Sequence, residues 1–167
     1  RLYVGALDRR IYALDIDTLS QEWVFEAKDW FEGVPAVADG VVYAGSNDGY
    51  LYAVEAGSGK MLWKFETADC VYSTPAIVDG ALYFTSWDGH VYALNIKGMK
   101  PELIWKEKID DQVSASPAVA GGRVYVGGSF EGNFVALDAA SGELIWKMPT
   151  QGGFDAGAVI SGDTVYV

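Results

Sequence analysis

Short apolar runs, each closed by a glycine-bearing turn, follow one another along the whole chain. Ala76-Ile77-Val78 ends at Asp79-Gly80, and Ala81-Leu82-Tyr83-Phe84-Thr85 follows, rich in β-formers. Ser86-Trp87-Asp88-Gly89 then gives a hairpin signal, Val91-Tyr92-Ala93-Leu94 a third run, and Leu103-Ile104-Trp105-Lys106 a fourth. No stretch places apolar residues at helical spacing over a helical length. Middle runs such as Val41–Ala44 and Leu51–Val54 are apolar at nearly every position, which requires cover on both faces. The last run alternates, with Met61, Trp63 and Phe65 on one face and Leu62, Lys64 and Glu66 on the other. Buried middle strands and a half-wet last strand are expected when small sheets stack radially.

The runs repeat. Tyr3, Tyr43, Tyr83, Tyr125 and Tyr166 are spaced by 40, 40, 42 and 41 residues, and Trp23, Trp63, Trp105 and Trp146 by 40, 42 and 41. Val34-Pro35-Ala36, Thr74-Pro75-Ala76 and Ser116-Pro117-Ala118 keep the same period, while the fourth copy, Ala156-Gly157-Ala158, has lost the proline. Three anchors with one period predict an all-β β-propeller of four-stranded antiparallel blades, 40–42 residues each, with about four blades present. The single segment 1–167 divides into a partial blade (1–28), blades at 29–68, 69–110 and 111–150, and a partial blade (151–167). Leu2-Tyr3-Val4 and Thr164-Val165-Tyr166-Val167 both occupy the second-strand position, so a partial ring with further blades in a longer protein is expected. A sandwich or barrel would not need this period, and only Trp87-Asp88 resembles the WD40 dipeptide.

A frame of Ala-x-acid-x-x-Ser-Gly-x-x-x-Trp runs from Ala53 through Gly59 to Trp63 and from Ala136 through Gly142 to Trp146. Ala13 to Trp23 keeps the spacing but has Leu19 in the glycine position, and Ala93 to Trp105 carries a two-residue insertion. This frame resembles the tryptophan-docking motif of the pyrroloquinoline-quinone (PQQ) repeat family, over essentially the whole chain. The resemblance implies that Trp23, Trp63, Trp105 and Trp146 wedge against neighbouring blades, with Ala13, Ala53, Ala93, Ala136, Gly59 and Gly142 shaping their seats. Elementary chemistry agrees: indole has a large apolar surface with one N–H to satisfy, and glycine takes positive φ where the chain reverses.

Composition narrows the function. Twelve basic against 23 acidic side chains give a net charge of −11, with no basic stripe for nucleic acid. No apolar run approaches the roughly 18 residues of a membrane-spanning helix. With one cysteine, Cys70, and one histidine, His90, no intrachain disulfide can form, and a zinc site or Ser-His-Asp triad is disfavoured. No metal site and no catalytic residue is assigned.

The family's alcohol dehydrogenases hold PQQ and Ca²⁺ under a pair of adjacent cysteines. Cys70 has no cysteine neighbour, so that feature is missing from this segment. A PQQ/Ca-dependent alcohol or sugar dehydrogenase fragment is therefore the alternative. The preferred expectation is a cofactor-free, non-catalytic scaffold for a protein or peptide, close in character to the propeller lipoprotein of outer-membrane barrel assembly. That resemblance implies a periplasmic or extracellular location. The copies differ most in the segments that lead into each first strand, and repeat phase puts these at one end of the ring. Trp30, Phe31, Cys70, Tyr72, Gln112, Phe154 and Asp155 are the candidate binding face, with aromatics as anchors.

Overall fold

The computed structural model describes all 167 residues as antiparallel strands and turns. The first sheet has three strands, β1 (Leu2–Gly5), β2 (Arg10–Leu14) and β3 (Gln21–Glu26). Three four-stranded meanders follow. These are β4 (Ala36–Ala38), β5 (Val41–Gly45), β6 (Tyr50–Glu55) and β7 (Met61–Glu66), then β8 (Ala76–Val78), β9 (Ala81–Thr85), β10 (His90–Asn95) and β11 (Glu102–Lys108). The next is β12 (Ala118–Ala120), β13 (Arg123–Gly127), β14 (Asn133–Asp138) and β15 (Leu144–Pro149), and β16 (Val159–Ser161) pairs with β17 (Thr164–Tyr166). β1 pairs only with β2 and β17 only with β16, so the first and last sheets do not merge.

The turns explain the meander. Asp39-Gly40 and Asp79-Gly80 both have positive φ at each central residue (49° and 76°, 51° and 77°), the mirror-image turn whose twist suits a tight hairpin. The middle strands β5, β6, β9, β10, β13 and β14 are buried almost throughout, since each sheet is covered by its neighbours. Apolar clusters lie between the sheets; one joins Ile11, Trp23 and Phe31 to Val42, Tyr52 and Val54. Short innermost strands β4, β8, β12 and β16 neighbour one another around a common axis.

One row crosses every complete middle pair. Tyr3, Ala13 and Trp23 stand opposite one another, as do Tyr43, Ala53 and Trp63, Tyr83, Ala93 and Trp105, and Tyr125, Ala136 and Trp146. The four alanines are fully buried, and the small side chain lets the flanking tyrosine and indole rings approach to 5.7–6.0 Å. A register shift follows each alanine. It corrects the expected alternation of β7: Val54 opposes Met61 with Leu62 skipped, and Met61 is exposed rather than inward.

Candidate binding site

The four linkers between sheets fold in one register, set by hydrogen bonds to the hairpins on either side. The carbonyls of Trp30, Cys70 and Gln112 accept from the backbone N–H of Asn47, Trp87 and Ser129 of the following sheet, at 2.8, 2.9 and 3.0 Å. The next residue in each linker points inward. The N–H groups of Phe31, Val71 and Phe154 donate back to Ala6, Ser46 and Gly128. Their side chains sit over Gly5, Gly45 and Gly127, where any Cβ would overlap them.

This corrects part of the expected binding face. Phe31 is 1% exposed and packs edge-on against Tyr52 at 6.0 Å, and Phe154 is half-buried against Phe134 at 5.4 Å. Both fill space between sheets, because the opposing glycines leave room for an apolar plug. Trp30 remains open at 47% exposure. Cys70 is half-buried with its thiol donating to the Asn47 carbonyl at 3.2 Å; burial pushes the thiol's pKa up, which suppresses nucleophilic thiolate. Gln112 is half-buried on the same shoulder.

The following register positions, Glu32, Tyr72, Ser114 and Asp155, converge on one cleft of about 560 Å³ where the inner strands begin. Val34, Thr74 and Ser116 form its floor, and Trp87 of the β9–β10 hairpin forms a wall. The floor is tied across sheets: Val34 N–H donates to Thr74 Oγ1 at 3.1 Å, and Thr74 N–H to Ser116 Oγ at 2.9 Å. Tyr72 meets Trp87 edge to face at 4.9 Å, and the Trp87 indole N–H donates to Ser114 Oγ at 3.1 Å. Burial, the Cys70 thiol, and the Glu32 and Asp69 carboxylates push the Tyr72 phenol's pKa up, so it stays protonated. Of the expected face, Tyr72 and Asp155 line this cleft, while Trp30, Cys70 and Gln112 stand outside it. Glu32 and Ser114 share the period of Tyr72, a signal that aligning the copies residue by residue would have exposed. Trp87 lies in a hairpin that reads as a turn.

Carboxylates fasten the same end. Asp48 accepts from Lys28 N–H at 3.0 Å and from Tyr52, and Asp88 accepts from Ala68 N–H at 3.1 Å and from Tyr92. At the next junction the polarity reverses, and Asp110 of the linker accepts from Phe130 and Glu131 N–H. At the opposite end, Trp23 and Trp105 reach the following sheet, their indole N–H groups donating to Ala56 and Ala139 carbonyls at 3.0 Å each. Trp63 and Trp146 make no such bond. The loop of the next sheet that carries the two-residue insertion meets Trp63 through Met99, Lys100 and Pro101, where Trp63 still packs against the apolar cluster between the sheets, and Trp146 is 38% exposed.

The arrangement defines a PQQ-like repeat β-propeller. Residues 7–100 and 99–167 match the family described as outer membrane protein assembly factor BamB, and the chain belongs to that family. BamB from Moraxella catarrhalis superposes with a TM-score of 0.81 at 20% identity, covering 98% of this chain and 50% of that one. The computationally designed Ika8 protein gives 0.82 at 16% identity, with the same coverage. Quinohemoprotein alcohol dehydrogenase ADHIIG from Pseudomonas putida HK5 gives 0.63 at 26% identity, over 71% of this chain and 20% of that one. The chain thus spans half the length of BamB and of Ika8, and a fifth of the dehydrogenase. No curated protein sequence matches the chain significantly.

No three His, Cys, Asp or Glu side chains gather where one metal ion could be held, and Cys70 cannot form the paired-cysteine cover. No helix is long and apolar enough to cross a membrane.

Proposed function

We propose that the chain is a cofactor-free, non-catalytic scaffold in the bacterial envelope, outside the cytoplasm, whose axial mouth docks a protein or peptide. One observation carries this reading. Repeated sheets hold four different side chains, Glu32, Tyr72, Ser114 and Asp155, around a single cleft. A repeat scaffold with chemical variety gathered at one end suits recognition. Exposed Trp30 beside the cleft adds an aromatic anchor of the kind that dominates interfaces. Membership of the BamB family, described as an outer membrane assembly factor, supports both the envelope location and a protein partner.

Photo-crosslinking in the native host tests it. Benzoylphenylalanine at Trp30 or Gln112 should give discrete adducts with envelope assembly proteins, and at Lys60, at the other end of the sheets, none. Adducts from Lys60 alone would overturn the reading.

The similarity to a quinohemoprotein alcohol dehydrogenase favours a second reading, a fragment of a PQQ-dependent enzyme. A PQQ titration with Ca²⁺ separates the two. The scaffold reading expects no saturable binding and no dye reduction with alcohols or glucose. Stoichiometric submicromolar binding would establish the dehydrogenase fragment instead.

A further inference from the structure

The axial cleft has a definite charge and a rigid aromatic corner. Glu32 and Asp155 line it, neither belongs to any ion pair of the protein, and no basic side chain lines it with them. Glu32 is held from one side only, accepting from Asn47 Nδ2 at 3.0 Å. Glu32 thus keeps acceptor capacity open toward the cleft, which a ligand's N–H groups would fill.

The aromatic corner is fixed in place. The planes of Tyr72 and Trp87 stand 78° apart. Ser114 Oγ accepts from the Trp87 indole and lies 3.0 Å from Ser129 Oγ, which in turn donates to the Phe154 carbonyl at 2.8 Å. A chain of hydroxyls thus anchors the indole to the linker that leaves the following sheet. Perpendicular aromatic faces beside unpaired carboxylates make an environment that attracts cations through both the ring quadrupoles and the negative charge. The same features repel phosphate or carboxylate groups. The volume, about 560 Å³, admits one long side chain with its flanking backbone.

The geometry points to a cationic side chain, lysine or arginine, presented by an extended segment of the partner and bound between Glu32, Asp155 and the Tyr72–Trp87 corner. This rests on the axial mouth being the docking face.

The test uses the protein labelled with ¹⁵N at tryptophan. The Trp87 indole resonance is assigned by W87F and followed on titration with blocked Gly-Lys-Gly, Gly-Arg-Gly, Gly-Gln-Gly and Gly-Glu-Gly peptides. The lysine or arginine peptide should shift that resonance saturably, and the glutamine and glutamate peptides should not. E32Q and D155N should each weaken binding by roughly threefold to tenfold, as should added salt. Unchanged Trp23 and Trp105 indole resonances report that the variants are folded. Equal shifts with the glutamine peptide, or full affinity in E32Q and D155N, would overturn the proposal. If no peptide moves Trp87 while Trp30 still crosslinks to envelope proteins, the cation proposal falls and the scaffold stands. Loss of the crosslinks as well removes the docking face itself.

Discussion

The indole of Trp23 covers Gly59 of the next sheet so closely that a Cβ there would stand 2.8 Å from Cδ2 and Cε3. Trp105 over Gly142 repeats the contact at 2.7 Å. Gly59 also has φ of 75°, so a side chain there meets both backbone strain and a ring backed by the sheet. Gly59→Ala should cost about 2–4 kcal/mol, the sum of left-handed strain and overpacking. Gly121→Ala, at φ of 57° with nothing within 4 Å, should cost only about 1 kcal/mol. Equal shifts of the two variants in urea melts would refute the contact's importance.

The Ala56 carbonyl accepts from the Trp23 indole at 3.0 Å and from the Tyr3 hydroxyl at 3.0 Å. Removing one donor leaves the other, so Trp23→Phe and Tyr3→Phe should each cost about 1 kcal/mol in lost hydrogen bonding. The double variant removes both, leaving Arg1 Nη1, a long contact at 3.4 Å, as the one remaining side-chain donor. Its loss should exceed the sum of the singles by about 1 kcal/mol in a double-mutant cycle. Trp63→Phe, with no indole bond to lose, should cost less than Trp23→Phe. Strict additivity at Tyr3 and Trp23 would mean that the carbonyl finds another partner.

Much of this was readable in advance because it is periodic. The tyrosine–alanine–tryptophan row recurs every 40–42 residues, and in each sheet the three residues stand opposite one another across adjacent strands. Leu19 shows where the frame bends without breaking. It takes φ of 56° in the place of Gly59 (75°) and Gly142 (77°), keeping the turn with a bulkier residue. The linkers were less legible, since an aromatic in a loop reads equally as anchor or plug. What decides is Gly5 or Gly127, more than 20 residues upstream, and that pairing is set by packing between sheets rather than by local sequence. Trp87 was hidden for a similar reason: its ring points to a cleft that only the linkers complete.

Asp88 gives the protein an acid-sensitive joint. Burial alone would raise its pKa, but hydrogen bonds from Tyr92, Ala68 N–H and His90, with the His90 charge, outweigh it and hold the carboxyl below its ordinary value. The native state therefore binds fewer protons at this site than the unfolded chain. The stability Asp88 contributes is complete above the unfolded value of about 4 and is lost as pH falls through the lower native value. Asp88→Asn should cost about 1–2 kcal/mol at pH 7. The gap to wild type should close as the pH falls below about 4. A gap that stays constant down that range in thermal melts would show that the carboxylate's charge plays no part.

Trp30 and Phe31 are adjacent in sequence and opposite in role. Phe31 is 1% exposed, seated over Gly5 and against Tyr52, whereas Trp30 is 47% exposed and its carbonyl accepts from Asn47. Phe31→Ala leaves a cavity between two sheets and should cost about 3–5 kcal/mol. Trp30→Ala removes a ring that is about half exposed and should cost much less, about 1 kcal/mol. The order reverses for recognition. An exposed tryptophan beside a docking cleft is the kind of residue that carries binding energy, so Trp30→Ala should weaken partner capture about tenfold or more while the melt falls far less than for Phe31→Ala. Denaturation and binding measured on the same two variants separate the roles. A Trp30 variant that loses stability as Phe31 does, or keeps full partner affinity, would remove Trp30 from the docking face.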